Sequence, residues 1–544
     1  SVVVEGDEIA PWQLPIFDEL LSSSDYVLAS VIKRPAQSRR IQASPIVRAV
    51  DTVERSVGNW FCRRVFARTR RMRDRSLPLI DKLPREVVVV AAADGTNASS
   101  GESGPVDLLL DLTARPRIDT ADLPDHARLW WLAIGHTPDG FQSGPLANGF
   151  DEVCTGSHAI EATLWQRTAS VQRPELLNRG VFRTFLWSWS ENARQLRYKA
   201  AYLVVDGLRA LRHANRQPRP APPAPPSGAA RAGGVAAVAA LAKCWWRIAS
   251  ETFERIVREE RWCLYIADGT PLDCDFATAK RISPPQSSYW ADPFPIERNG
   301  KTVVFFEEYP YSTRTGLIAC AELTDDGGQV KAVGHRPVIE QPHHLSYPFL
   351  FEKSGELYMI PESSADRTIG LWRCEEFPHR WVKIHDVMEG INATDTTLFE
   401  HEDRWWLFTN IDRADIHDHC SELHAFSSPD PLSRDWTPHP LNPIVRDARS
   451  ARMAGPVYRA EDGRLIRPAQ VNTRYYGYAI TLFEIVDLSP ATYEEISRRH
   501  IEPNWRRGIS RNHHIASVAD RVIIDACHQR FKLERYMARI LRWH

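Results

Sequence analysis

The sequence has no CxxC pair, no excess charge of one sign, and no apolar run approaching the ~20 residues of a membrane-spanning helix. Its nine cysteines scatter from Cys62 to Cys527 at irregular spacings. That excludes a disulfide framework or a zinc module and points to buried, reduced thiols. Lys+Arg (68) and Asp+Glu (69) nearly cancel, for a formal net charge of −1, which removes the electrostatic footprint of a nucleic-acid binder. The longest apolar candidate, Gly233 to Ala242, is Ala-rich and far too short, so no transmembrane segment is expected. No basic patch followed by an apolar core opens the chain. No signal peptide is therefore expected, and the location expected is cytoplasmic or membrane-associated. Glycine (28) is outnumbered by proline (38), while tryptophan (18) is abundant. Trp is a flat apolar surface with one donor, suited to β-rich cores and to stacking on sugar rings.

The chain is also too long for one core, because single cores stop growing near ~250–300 residues. A Pro-rich stretch at Gln217–Ser227 behaves as an extended spacer and marks the clearest boundary. Residues 1–213 read as an α/β domain: Val87–Ala92 and Val106–Leu112 are short continuous apolar runs, as in parallel strands buried on both faces. Residues 214–261 read as a Pro/Ala-rich linker and a connecting helix reaching Arg261, with Trp245, Ile248, Phe253, Ile256 and Val257 at helical spacing. This helix is either docked on a domain or laid on a membrane surface. Residues 529–544 form a basic amphipathic tail, a second candidate for peripheral contact with an anionic membrane. A third is the run from Arg63 to Arg75, seven Arg in thirteen residues, which is either a solvated helix face or a grip for an anion.

Residues 262–528 carry a repeat. A small or acidic residue precedes a Pro or Thr and an apolar triplet, then a turn and a second apolar strand follow. The openings are Ala291–Phe294, Ser346–Phe351, Thr394–Phe399, Ala454–Tyr458 and Asn512–Val518. With Asp292, Pro348, Asp395, Gly455 and His513 as markers, the spacings are 56, 47, 60 and 58. Five units of this period predict an all-β propeller of five blades, whose openings converge on the central axis.

The opening with Pro11-Trp12-Gln13, then Asp107–Leu110, and the stretch from His136 through Gly149-Phe150 to Thr163-Leu164 make the first half resemble, weakly, the formyltransferase (Rossmann-type) fold. That resemblance implies an Asn-x-His pair and a later Asp as the catalytic set. Here Ile134 stands at the Asn position, His136 at the His and Gln172 at the Asp. Ile cannot donate to an oxyanion and Gln cannot accept a proton. The domain is therefore expected to be catalytically degenerate, with no folate cofactor.

The second half resembles more closely the glucosamine inositolphosphorylceramide transferase N-terminal family, akin to the furanosidase and arabinanase/xylosidase propellers. The residues that carry this are Tyr289–Phe294, Phe305–Glu308, His344–Phe349, Tyr358–Ser363, Asp395–Phe399, Ser450–Gly455 and Arg467–Gln470. The resemblance implies a carbohydrate-related role, with glycosyl transfer to a glycan or glycolipid ahead of hydrolysis. It places Asp292 as base and Asp395 as the group that positions or tunes it. The acid position of the hydrolases holds Ala454, and an alanine protonates nothing. A nucleotide diphosphate, being a good leaving group, needs little acid, so a sugar-nucleotide donor fits. Glu362, Glu307 and Glu308 are replacement acids if burial raises their pKa, with Glu362 the first choice; the alternative is ion pairing with Arg452 or Arg467. Trp290, Glu308, His344, Tyr347, Arg452, Arg467, Gln470, His513 and His514 are the expected substrate contacts. Trp405 and Trp406 either stack on sugars or fill between blades, and no metal site is expected. A non-catalytic glycan or glycolipid recognition protein, and a sugar N-formyltransferase with a propeller specificity module, are the other readings.

Overall fold

A computed structural model describes residues 1–5, 8–34, 45–65, 77–78, 88–91, 107–112, 127–134, 149–168, 174–211, 234–326 and 329–533. The chain divides into two compact units, Ser1–Ser250 and Glu251–His544. The Pro-rich stretch, His136, Gln172, most of the Arg run and the last eleven residues lie outside the described residues.

In the first unit, seven strands form one sheet in the order Val88–Ala91, Ser30–Arg34, Val2–Glu5, Leu108–Asp111, Arg128–Ile134, Ala159–Thr168, Glu175–Arg183. The first five pair in parallel and the last two add antiparallel. Runs such as Val2-Val3-Val4 are buried through and through, because helices cover a parallel sheet. Leu14–Ser22 and Trp189–Leu211 pack one face, burying Phe17, Leu203 and Val204 against Trp130 and Leu132. Ile134 ends its strand inside this apolar core.

The second unit is a propeller with five blades. Four four-stranded antiparallel sheets span Ser288–Ile339, Ser346–Glu389, Ala393–Pro438 and Tyr458–Ile501. The fifth is built from both ends of the unit: Arg258–Asp268 pairs with Arg521–Phe531 over eleven register positions, from Arg258 opposite Phe531 to Asp268 opposite Arg521. This ladder closes the ring and leaves no open edge there. The segment 258–261, expected to finish the helix, is already strand, because the helix ends at Val257 and the backbone joins the closing ladder.

Three blades open with one shared distortion. Register shifts fall between Ala291 and Phe294, Ser346 and Phe349, and Thr394 and Thr397. Inside each, one residue takes the left-handed conformation: Asp292 (φ 51°), Tyr347 (φ 43°) and Asp395 (φ 53°). The equivalent of Asp292 in the second blade is therefore Tyr347, one residue before the expected marker Pro348. In the fourth blade the position is Gly455 (φ 140°), where an added Cβ would sit 2.0 Å from the Ile515 carbonyl oxygen. We expect Gly455→Ala to destabilise the propeller by roughly 3 kcal/mol or more. A thermal melt should show a large drop in Tm, and an unchanged Tm would refute this packing.

Candidate functional site

The bulged openings place one cluster of titratable groups at the ring's axis. Asp525, on the closing strand, is fully buried. Its carboxylate accepts the backbone N–H of Asp292 (3.1 Å), His513 (3.0 Å) and His514 (2.9 Å). Its second contact to His513, at Nδ1, is 2.7 Å. Asp292 Oδ2 accepts the Tyr347 N–H (3.2 Å), and Oδ1 lies 3.6 Å from His513 Nε2 and 3.5 Å from His514 Nδ1.

These surroundings set the charges. Burial raises the Asp292 carboxyl to about 7; His513 and Arg452 oppose this, while Asp525 and Asp395 add to it. Burial pulls His513 down, but Asp525 and Asp292 outweigh it and hold the imidazole above its usual value. His514, packed against Phe294 and Tyr347, is pushed down to about 3 by burial and stays neutral.

Beside this core, Arg452 clamps Asp395 with two bonds, Nε to Oδ2 (2.7 Å) and Nη2 to Oδ1 (3.3 Å). Its guanidinium stands 4.9 Å from the Tyr476 ring centre. Burial raises the Asp395 carboxyl against the pull of Arg452, yet the two-bond contact is that of an ion pair, and Asp395 and Tyr476 overcome burial to hold Arg452 well above its usual value. Gln470 donates to the Met453 carbonyl (2.8 Å) and, weakly, to Asp395 (3.4 Å). His344 accepts the Gly316 N–H at Nδ1 (2.9 Å), so its Nε2 carries the proton in the neutral ring and faces Glu307 at 3.6 Å.

Five expected site residues are placed otherwise. Glu362 accepts from Ser346 Oγ and the Ser364 N–H, both at 2.7 Å. Burial pushes it up, but His344 and these bonds prevail and its pKa falls, so it is held ionised and is not a proton donor. Glu307 has the raised pKa instead, from burial and from the charges of Asp292 and Glu362. Trp290 is buried between Phe306 and His335, with no face open to a sugar. Glu308, opposite Trp290 in register, takes bonds from Ser288 (2.7 Å) and His335 (2.8 Å) and points away from Glu307. Tyr347 is buried, its hydroxyl bonded to Thr397 Oγ1 (2.8 Å). Arg467 is 0% exposed and bound to Glu495 (2.8 and 2.7 Å) and the Ser450 carbonyl (2.8 Å). Neither Arg452 nor Arg467 pairs with Glu362, and Trp405 and Trp406 are packed in the apolar core between blades.

Asp525 was not singled out from the sequence, because RVIIDA reads as an ordinary strand ending in a polar residue. Asp292, His513 and Asp525 bring donor atoms within 4.8 Å of one another, against the expectation of no metal-type cluster. Their mutual ion pairing already accounts for the spacing.

Residues 267–516 match the glucosamine inositolphosphorylceramide transferase 1 N-terminal family. Curated relatives named glucosamine inositolphosphorylceramide transferase 1 are similar over 212 residues. The one from Oryza sativa subsp. japonica is 33% identical, covering 39% of this chain and 28% of its own. The one from Arabidopsis thaliana is 32% identical, covering 39% and 27%. The chain thus spans less than a third of these relatives' length. Among solved structures, a thermostable family-43 glycoside hydrolase is 13% identical over 45% of this chain and 91% of its own, with a TM-score of 0.32. The catalytic domain of a Coprinopsis cinerea α-L-arabinofuranosidase is 10% identical over 49% and 97%, with a TM-score of 0.35.

Arg467→Met strips Glu495 of its buried partner and is expected to cost roughly 3–5 kcal/mol. The double variant Arg467→Met/Glu495→Met should recover much of that stability in urea unfolding. Failure to recover would show that the arginine does more than hold the blade together.

Proposed function

We propose that the propeller funnel performs glycosyl transfer to a glycan or glycolipid acceptor. The observation that carries this is the Asp292 carboxylate, held at the axis by Asp525 and Tyr347 through the backbone and facing two imidazoles. Kinship of residues 267–516 with proteins named as transferases to inositolphosphorylceramide supports the reaction class and the acceptor. Asp292 takes the proton of the acceptor hydroxyl, whose oxygen attacks the anomeric carbon. The bond to the leaving group breaks and its electron pair departs with the leaving group, which is a diphosphate if the donor is a sugar nucleotide. Asp395, fixed by Arg452, shapes the field at Asp292. Ala454 leaves the hydrolase acid position empty, and Glu307, whose proton is retained by burial and neighbouring charge, is the group able to supply one.

A second reading is non-catalytic recognition of a glycan or glycolipid, favoured by the same Ala454 and by the neutralisation of Asp395. The first unit serves as a scaffold in both. Its formyltransferase-like reading rests on the sequence, and Ile134, buried among apolar side chains, offers no donor. We place the protein in the cytoplasm or in association with a membrane.

Asp292→Asn is expected to lower kcat by at least about a hundredfold without loss of Tm, and Asp395→Asn to lower kcat as well. Normal turnover in Asp292→Asn removes the mechanism. Because the base must be ionised, kcat/KM should climb with pH toward about 7, the value to which Asp292 is raised. Stability runs the other way. A carboxyl raised above its unfolded value stabilises most below the unfolded pKa near 4, and that contribution is lost as pH rises through about 7. Asp292→Asn should therefore gain on the wild type in thermal melts between pH 4 and 8. A screen of sugar nucleotides by thermal shift separates the readings: a donor that raises Tm and turns over supports transfer, whereas glycan binding without turnover of any donor supports recognition.

A further inference from the structure

The helix Gly234–Val257 is apolar on two opposite sides. One side is covered: Ala237, Ala240 and Cys244 are buried against Val153 and Trp189. The other is open. At 3.6 residues per turn, Val235, Val238, Trp246, Phe253 and Ile256 fall along one stripe with Trp245 at its edge, and all six are exposed. Trp246 is 74%, Phe253 62% and Ile256 65% exposed. The residues expected from their spacing to dock this helix are thus largely the ones left bare, and small residues do the docking.

Further apolar surface joins the stripe at its C-terminal end. Lys532 Nζ donates to the Arg255 carbonyl (2.6 Å), and the Arg258 guanidinium lies 5.0 Å from the centre of the Phe531 ring. The end of the closing strand therefore sits against the helix's last turn, and its Phe531 and Leu533 are exposed too. The charge around this surface is basic. Arg255 and Arg258 pair with Glu251 and Glu254, while Lys243 and Lys532 bond backbone carbonyls rather than acids.

Single exposed apolar residues are ordinary, but two Trp, a Phe and an Ile aligned on one helix beside cations are not. Trp settles at headgroup depth, aliphatic and Phe side chains go deeper, and Lys and Arg meet lipid phosphates. Among the described residues no helix is long and apolar enough to cross a membrane, so the contact this face can make is peripheral. We propose that the open face of the helix Gly234–Val257 docks on an anionic lipid surface. The proposal is independent of which reaction, if any, the funnel performs.

The full chain should co-float with phosphatidylcholine vesicles that contain phosphatidylserine and bind vesicles of pure phosphatidylcholine at least about tenfold more weakly. Tryptophan emission should shift to the blue on binding. Trp246→Ser/Phe253→Ser changes only exposed side chains, so Tm should hold while partitioning falls at least about tenfold. Absence of binding by the wild type, or binding unchanged in the double variant, overturns the proposal. So does sedimentation showing that the wild type self-associates through this face and the variant does not, because the occupant is then a second copy. Sugar-nucleotide turnover, measured on the same samples without lipid, keeps a failure of the funnel distinct from a failure of docking.

Discussion

One buried carboxylate organises the axis. Asp525 accepts three backbone N–H groups from the first and fifth blades and pairs with the His513 ring. A charge so deep in the protein is tolerable only when its lone pairs are filled. The bulge at Asp292 presents its backbone N–H to that carboxylate, and the His513-His514 turn presents two more. The geometry of the proposed base thus follows from satisfying a different acid.

The rest of the cluster is graded in charge. Glu362 is held down by His344 and by serine and backbone donors, while burial pushes Asp292, Glu307 and Asp395 upward, Asp395 against the pull of its Arg452 partner. Carboxyls crowded in one water-poor space resist ionising together, so burial and mutual repulsion raise several of them at once. Left-handed backbone at Asp292, Tyr347 and Asp395 adds local strain at this same ring. Such strain persists where the surrounding structure over-determines it, and here neighbouring blades do.

The five-blade organisation was legible because each opening repeats a turn-and-triplet pattern at a steady period. Asp292 and Asp395 were legible because acids interrupt otherwise apolar strand openings. The roles of Glu362, Trp290, Glu308 and Arg467 were not, since which face of a strand meets the axis depends on register, and a bulge changes it. Trp290 and Glu308 face away from Ala291 and Glu307 by the alternation of a single residue. Arg467 looks like a phosphate grip until Glu495, twenty-eight residues on, is seen beside it. The helix after the Pro-rich spacer showed the opposite limit: its spacing announced a helix, yet large side chains concealed that alanines supply the packed face.

The ring is sealed by strands from the two ends of the propeller, with Trp262 opposite Cys527. A ribosome therefore delivers Arg258–Asp268 long before its partner exists, and the early strand must wait with its ladder groups unmatched while four blades assemble. Contacts this distant in sequence make closure a late and slow event. Because Asp525 lies on Arg521–Phe531, the axial cluster cannot form before that strand has been made.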